Sequence, residues 1–348
     1  MRILVALSGG VDSSVAAALL VEELGPARVV GATLKLWGGS SDSGCCSVAD
    51  VEDARRVAEQ VGIVHHVFNF TDAFEEAVVR PYVEDHVAGR TPNPCIECNR
   101  RVKFGVLLGR ARRLGFDLLA TGHHARVARW PTGPRLLRGA DRAKDQSYVL
   151  AMLGSRDLEH LIFPVGALTK AEVRARAARL GLRTAGKPDS QDVCFIGSQA
   201  GRGRFLAART TLHPGELVDA RSSTVVGTVP AVELVTLGQR RGLGAARDGK
   251  RRYALRVDVH ARRVVVGSLD AAVACEVHVE APTWVDRPLR RGERALAQTS
   301  AHGRPARCTW AGGSLRFEEP QRLVAPGQTV AFYDVQCPDA VVGAAVAA

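Results

Sequence analysis

The sequence predicts an α/β fold class: a parallel sheet flanked by helices in the N-terminal part, then two small all-β domains, the last barrel-like. Three observations predict it. Up to about residue 200, short apolar runs alternate with segments of helical period, the pattern of strands joined by crossover helices. Beyond Gly201 helix-length periods vanish, and short β-rich runs separated by glycine or proline continue to the end. The chain has 348 residues, 46% of them hydrophobic and 24% charged, so one to three domains are expected with ample chain for a real core. The expected divisions are 1–200, 201–270 and 271–348.

Taken in order, Arg2 to Leu7 reads as an apolar strand and Asp12 to Leu24 as the first helix. Val29 to Leu36 is a second strand, and Ser47 to Gly62 has the apolar period of an amphipathic helix, with Ser47 and Asp50 as its cap. Val64 to Phe70 is the next strand, Asp72 to His86 and Asn99 to Leu114 are helices, and Asp117 to Thr121 is a strand. Ala125 to Arg138, with Pro131-Thr132-Gly133-Pro134 at its centre, reads as an inserted hairpin, and Lys170 to Leu180 as a helix. The β runs that follow are Leu217-Val218, Val225-Val226, Tyr253 to Val259, Arg263 to Gly267, Cys275 to Glu280, Ala295 to Thr299, Leu315 to Phe317 and Thr329 to Tyr333.

The first strand runs straight into Ser8-Gly9-Gly10-Val11-Asp12-Ser13-Ser14. Two glycines let the backbone turn so that successive N–H groups converge on one anion, and the positive end of the following helix points to the same place. The hydroxyls of Ser8, Ser13 and Ser14 are expected to add donors. No Gly-Lys-Ser/Thr follows, so the loop is not a Walker A, and it lacks the third glycine of a dinucleotide fingerprint. Asp12 would repel bare phosphate, and it makes sense if it holds a magnesium ion that bridges nucleotide oxygens. Ligands of parallel sheets lie beyond the carboxyl ends of the strands, where this loop and Thr121-Gly122-His123-His124 both fall. Leu34, at the end of the second strand, is placed to line an adenine pocket.

Charge narrows the partner. The net charge is +11, and residues 199–263 hold 13 basic against 5 acidic side chains, whereas residues 264–348 hold 8 against 9. A surplus confined to one short segment is the footprint of a polyanion. Nothing reads as a signal peptide or a membrane span, so a cytoplasmic enzyme is expected. In that compartment eight cysteines point to chemistry or metal rather than to a disulfide framework. Cys95 and Cys98 stand in the proline-fixed turn Thr91 to Asn99 at the start of a predicted helix, where thiolate is stabilised, and Cys194 stands in the polar stretch Pro188 to Phe195. Cys275, Cys308 and Cys337 read as buried, unreactive residues.

The loop resembles the PP-loop, SGGxDS, of ATP pyrophosphatases, and further motifs extend the likeness over nearly the whole chain. These are Cys45-Cys46-Ser47 followed by Asp53-Ala54-Arg55, GRTPNPCxxCN with Lys103-Phe104, ATGHHAR, KDQSYVL, PDSQDVCFI, LGQRRGLG at 237–244 and Pro326-Gly327-Gln328. On these the chain resembles the tRNA-specific 2-thiouridylases, PP-loop enzymes with an adenine nucleotide alpha-hydrolase-like catalytic domain. The resemblance implies ATP contacts at Ala6, Leu7, Ser8, Gly9, Gly10, Val11, Asp12, Ser13, Leu34 and Gly122. It implies that Asn93, Pro94 and Cys95 face the target base and that His123, Lys144, Asp145, Gln146 and Gln328 touch tRNA. Cys98 matches the family's nucleophile and Cys194 its persulfide-bearing cysteine, with a transient Cys98–Cys194 disulfide between them.

Two departures stand out. Cys95 occupies a position where many members carry aspartate, and Gln298 to Gly303 lacks the basic and aromatic residues often found in the C-terminal tRNA-contacting strand. With a second cysteine, Cys95, Cys98 and Cys194 also resemble the ligand set of iron-sulfur sulfurtransferases. The reaction implied is adenylation of the wobble uridine 2-oxygen by ATP, then sulfur transfer from a persulfide or an iron-sulfur cluster. The sulfur comes from a persulfide donor protein, and the base leaves the anticodon stack. The alternatives are an amidating PP-loop synthetase, a tRNA-binding protein with a vestigial nucleotide site, and thiolation at a different tRNA position.

Overall fold

The computed structural model describes residues 1–37, 47–189, 193–196, 201–246 and 249–348. Cys45, Cys46 and Ser190 to Asp192 of the motifs above lie outside the described residues. The first strands are β1 (Ile3–Ala6), β2 (Val29–Lys35), β3 (Val64–Asn69) and β4 (Leu118–Ala120), then the hairpin β5 (Ala125–Trp130) and β6 (Gly133–Arg138), then β7 (Leu161–Ile162). Five of them form the expected parallel sheet, in the order β3-β2-β1-β4-β7. The order reverses between β1 and β4, so the loops after these two strands flank the switch point where such sheets bind ligands. β7 has only two residues, too few to show a period in sequence.

Around the sheet run α1 (Val11–Leu24), α2 (Val48–Gln60), α3 (Thr71–Phe74), α4 (Arg80–Val87), α5 (Pro94–Glu97), α6 (Leu108–Arg113), α7 (Ser147–Leu150), α8 (Ser155–Leu158) and α9 (Lys170–Arg179). α3 reaches α4 through a π-helical turn at Glu75–Val79, just before Pro81, which lacks the N–H of a regular helical bond. The helix expected from Asn99 starts at Pro94 instead: Asn93 caps it, proline suits its first position, and a π-helical stretch at Cys98–Leu107 joins α5 to α6. Ser47 caps α2 as expected, its Oγ accepting from the Asp50 N–H at 3.1 Å.

The expectation of purely β structure after Gly201 is corrected by α10 (Gly201–Ala207). Its Phe205 and Leu206 are buried, and Phe205 lies 5.1 Å from Phe195 and 6.3 Å from Trp37 between ring centroids, so tertiary packing rather than local period fixes it. β8 (Gly215–Asp219), β9 (Val225–Val229), β10 (Tyr253–Asp258) and β11 (Arg263–Gly267) then form a four-stranded sheet in which β8 and β11 pair in parallel.

β12 (Val273–Trp284), β13 (Arg294–Gln298), β14 (Ala306–Trp310), β15 (Ser314–Arg322), β16 (Thr329–Tyr333) and β17 (Val341–Ala347) close into the barrel β12-β15-β14-β13-β16-β17. β14 and the alanine-rich β17 were not legible as runs, because closure rather than β-propensity pairs them. The barrel is tied to the first sheet's layer. The Tyr148 hydroxyl donates to the Thr329 carbonyl at 2.7 Å, Leu137 bridges Ala340, and the Thr91 N–H donates to the Pro326 carbonyl at 2.7 Å.

α4 meets the four-stranded sheet's unit through His86, which is 2% exposed, 4.7 Å from the Tyr82 ring and hydrogen-bonded to the Glu233 carbonyl. Burial, and then the charge of Arg202, lower its pKa to about 4, outweighing the Glu233 bond. The neutral form therefore belongs to the folded state. Stability is fully present above the ordinary histidine value and is lost as pH falls from about 6.5 towards 4, by roughly 3 kcal/mol. Thermal unfolding across pH 7 to 4 should show this loss in the wild type and less of it in His86→Gln. An equal slope in both would refute the assignment.

Candidate active site

The Leu7 N–H still bonds the Ala32 carbonyl at 2.8 Å, so the chain leaves the sheet at Ser8. Gly9 has φ +72, and a Cβ there would stand 2.3 Å from the Asp50 carbonyl oxygen, so both conformation and space demand glycine. Gly10 is extended and precedes α1 with no side-chain cap, which leaves the first-turn N–H groups to serve an anion. The expectation that the serines donate into the cradle is corrected for two of them. The hydroxyls of Ser13 and Ser14, both buried, donate to the Gly10 carbonyl at 3.0 and 2.8 Å, while exposed Ser8 bonds Ser13 at 3.2 Å. These bonds hold the loop shape and leave anion binding to the backbone.

Asp12 is engaged by protein cations. Lys170 Nζ donates to its two oxygens at 2.8 and 2.7 Å, and His124 Nε2 donates at 3.0 Å. Burial pushes the Asp12 carboxyl up, but the bonds from His124 and Lys170 and the Lys170 charge outweigh it and hold it below the usual value. Among the described residues no group of three His, Cys, Asp or Glu side chains is set to hold a metal ion. Lys170 Nζ bonds both Asp12 oxygens in this structure, so the expected magnesium would have to displace that ammonium to bind Asp12.

The loop after β4 completes the mouth. A Cβ on Gly122 would lie 2.5 Å from the Ser13 amide nitrogen, so this glycine lets the β4 loop touch the N-terminus of α1. Leu34, buried at the end of β2, belongs to the core beneath. His123 is buried between Phe104 and Phe163, each 5.8 Å away, bonds Thr121 Oγ1 at 2.7 Å, and has its pKa pushed well down by burial. The Asp145 carboxylate accepts from Arg138 at 2.6 Å, from the Gly139 and Ser147 N–H groups at 3.0 Å each and from the Ser147 hydroxyl at 2.9 Å. Gln146 accepts from the His124 N–H at 2.8 Å, and Gln328 donates to the Thr91 carbonyl. Of the five side chains expected on tRNA, four therefore bond within the protein core or its turns. Lys144, 44% exposed, reaches outward as well as to Asp189 at 2.8 Å.

Because the helix starts at Pro94, Cys95 holds the exposed N-terminal position, and Cys98 sits a turn further in, buried beside Ile96, Val102 and Phe104. Asn93 Oδ1 accepts from the Ile96 N–H at 3.4 Å. The expectation that Cys98 stands at the helix start is corrected accordingly. Half-buried Cys194 packs against the same apolar cluster as Cys98, and no disulfide joins the described cysteines. Cys95, Cys98 and Cys194 are not assembled as a metal-binding group, so the iron-sulfur ligand set does not fit the described residues. Cys308 is buried, with its thiol pushed up to about 12 by burial, as expected of an inert residue. Cys275 is exposed and Cys337 half-buried, contrary to expectation, because β12 turns Cys275 outward and Cys337 lies in the turn before β17.

Sequence reasoning missed Lys170, Lys187 and Asp189. Lys170 and Lys187 find Asp12, Gly9, Asp50 and Asp53 more than a hundred residues away, and Asp189 finds Lys144, Lys170 and Arg174 at separations that match no helical or strand period, so no spacing signals them. One local cue existed: Thr169 and Glu172 form a capping box, which makes Lys170 the first residue of α9.

Comparison with known proteins fits this geometry. The family model of the tRNA methyl transferase HUP domain matches residues 1–198, and that of the tRNA methyl transferase PRC-barrel domain matches residues 203–268. The tRNA-specific 2-thiouridylase MnmA of Roseiflexus castenholzii is 44% identical, with 96% of each chain covered. The chain belongs to the tRNA-specific 2-thiouridylase family. The proteins of the same name from Geobacter metallireducens and Saccharopolyspora erythraea are 43% and 42% identical, covering 95% and 96% of this chain and 93% and 95% of theirs. In the 2-thiouridylase family, then, stands a chain whose phosphate loop, paired cysteines and C-terminal barrel are laid out as above. Among the described residues no helix is long and apolar enough to cross a membrane.

Proposed function

We propose that this chain catalyses ATP-dependent 2-thiolation of the wobble uridine of tRNA. The observation that carries the reading is that the phosphate loop lies at the sheet's switch point while Leu34, Cys98 and Cys194 belong to one apolar cluster. Methyl transfer, named in the description of the domain models, calls for no nucleotide triphosphate loop and no pair of cysteines. ATP lies along Ala6 to Ser13, Leu34 and Gly122, and the base enters beside Asn93, Pro94 and Cys95. Residues 1–200 form the catalytic domain, with 201–270 and 271–348 as the two units that help hold tRNA.

A uracil carbonyl is a poor electrophile with no competent leaving group. ATP therefore converts the 2-oxygen to an adenylate and releases pyrophosphate, whose charge the N-terminus of α1 counters. The terminal sulfur of a persulfide on Cys194, supplied by a donor protein, attacks the ring carbon, and AMP leaves with the former 2-oxygen. Cys98 then attacks Cys194, breaking the persulfide S–S bond and leaving sulfur on the ring. The Cys98–Cys194 disulfide that forms takes two electrons from an external thiol to reset.

The test is mass spectrometry of nucleosides from tRNA incubated with the protein, ATP and a persulfide source. ATP-dependent 2-thiouridine is expected, and its absence with all three present would overturn the proposal. Arg240 and Arg241 are exposed within the basic central segment. Replacing both should weaken tRNA binding and lower the salt slope by about two, one counterion per lost phosphate contact. An unchanged slope would place the polyanion surface elsewhere.

A further inference from the structure

The first peptide of the glycine loop, Leu7-Ser8, is held at both of its polar atoms by side chains. The Thr33 hydroxyl donates to the Leu7 carbonyl at 2.8 Å, and the Ser8 N–H donates to Ser13 Oγ at 3.2 Å. A hydroxyl has one hydrogen, and this fixes the direction of the bonds on either side of it. Thr33 gives its hydrogen to Leu7, so it accepts from His65 Nε2 at 2.8 Å, and the ring carries a proton on that nitrogen. Ser13 gives its hydrogen to the Gly10 carbonyl at 3.0 Å, so its oxygen is left to accept from Ser8. One polarised chain therefore runs from β3 through Thr33 and the Leu7-Ser8 peptide to Gly10, the N-cap of α1. Gly31 leaves room for its first link: a Cβ there would lie 3.3 Å from the His65 ring and 2.9 Å from the Leu7 side chain. Thr33 is 2% exposed, and burial, with the charges of His66 and Arg55, holds the His65 pKa below the usual histidine value. The Gly9 carbonyl accepts from Lys187 Nζ at 3.0 Å and the Gly10 carbonyl also from Ser14, so the carbonyls of Leu7, Gly9 and Gly10 all face side-chain donors.

We infer that Thr33, oriented by His65, is a positioning residue for the nucleotide site: it holds the Leu7 carbonyl towards β2, so that the loop that follows presents N–H groups to phosphate. The inference rests on reading residues 8–14 as a nucleotide loop. A peptide unit is planar, so fixing the Leu7 carbonyl also fixes the Ser8 N–H and the direction in which the chain enters Gly9. A carbonyl free to swing towards the anion would set its negative end against phosphate charge. Donors already in place when that charge arrives need no reorganisation. Leu34, the expected adenine contact, follows Thr33 directly, and neighbouring residues of a strand point to opposite faces. Thr33 thus acts on the phosphate end of the site, which separates its effect from one on the adenine end.

Equilibrium dialysis of the full-length protein against radiolabelled ATP in magnesium-containing buffer, with inorganic pyrophosphate as competitor, tests this. Thr33→Val keeps the branched shape and removes only the hydroxyl. It should weaken both ATP and pyrophosphate about five- to tenfold, the effect of one lost hydrogen bond to a buried group, and Thr33→Ser should bind both within about twofold of wild type. His65→Leu leaves every loop atom in place and should weaken both about twofold, by loosening the hydroxyl it orients. Added to Thr33→Val it should cost nothing further, because His65 acts only through Thr33, and a further loss would overturn that link. Wild-type binding of both ligands in Thr33→Val and His65→Leu overturns the inference, and His65→Leu decides alone should Thr33→Val fail to fold. A Thr33→Val that loses affinity for ATP but keeps it for pyrophosphate overturns it as well, since the effect then lies at the adenine end. So does a Thr33→Ser that binds no better than Thr33→Val, the mark of a purely structural role. A wild type that binds no ATP, or whose ATP pyrophosphate does not displace, overturns the phosphate-loop reading itself, a separate outcome because it is read without any variant.

Discussion

Replacing Cys194 by serine is expected to abolish 2-thiouridine formation while leaving ATP- and tRNA-dependent pyrophosphate release nearly intact. The two half-reactions use different atoms. Adenylation needs the phosphate loop and the base, whereas Cys194 enters only as the sulfur carrier, and a serine hydroxyl forms no persulfide. The loss should reach about a thousandfold or more, since removing a covalent nucleophile leaves only residual catalysis by binding. Cys98→Ser should match it, because the two thiols act as one unit and single losses then cost about as much as both. Cys95→Ser should retain most activity, for Cys95 is exposed at the helix N-terminus whereas Cys98 is buried and Cys194 packs on the same apolar cluster. Joint loss of iron and activity in Cys95→Ser would favour a cluster over the persulfide route. The measurement is nucleoside mass spectrometry beside a pyrophosphate assay on the same samples.

What the sequence made legible follows from where the information lies. β1, the glycine loop and α1 are adjacent in the chain, so apolar run, turn residues and period identified them together. The hairpin at 125–138 was equally local, with its proline-flanked turn. β7, β14 and β17 were not legible, since a two-residue strand, a short strand of mixed polarity and an alanine-rich strand acquire their pairing from the sheet and barrel they close. The same holds at the site. Asp12 was visible as a carboxylate in a phosphate loop, but its partners Lys170 and His124 come from α9 and the β4 loop, and only the fold brings them there. Asp145 and His123 carried motif signals, yet their side chains turn inward, which no one-dimensional pattern records.

Asp12→Ala should lower pyrophosphate release by about a hundredfold or more, the order lost when one preorganised charge is removed from an active site. The reason differs from a simple cation site. Asp12 fixes the Lys170 ammonium and the His124 ring at the mouth of the loop, so its loss lets both turn away from where phosphate charge develops. The fold should survive. Asp12 is 29% exposed in the first turn of α1, Lys170 keeps Asp189, and the loop shape rests on Gly9 and the Ser13 and Ser14 bonds to Gly10. Losing a carboxylate at a helix N-terminus costs about 0.3–1 kcal/mol, a small shift in melting temperature. Calorimetric ATP binding, melting temperature and pyrophosphate release with tRNA present should therefore separate: stability nearly unchanged, turnover collapsed. Undiminished pyrophosphate release would remove Asp12 from the nucleotide site and with it the case for a PP-loop here.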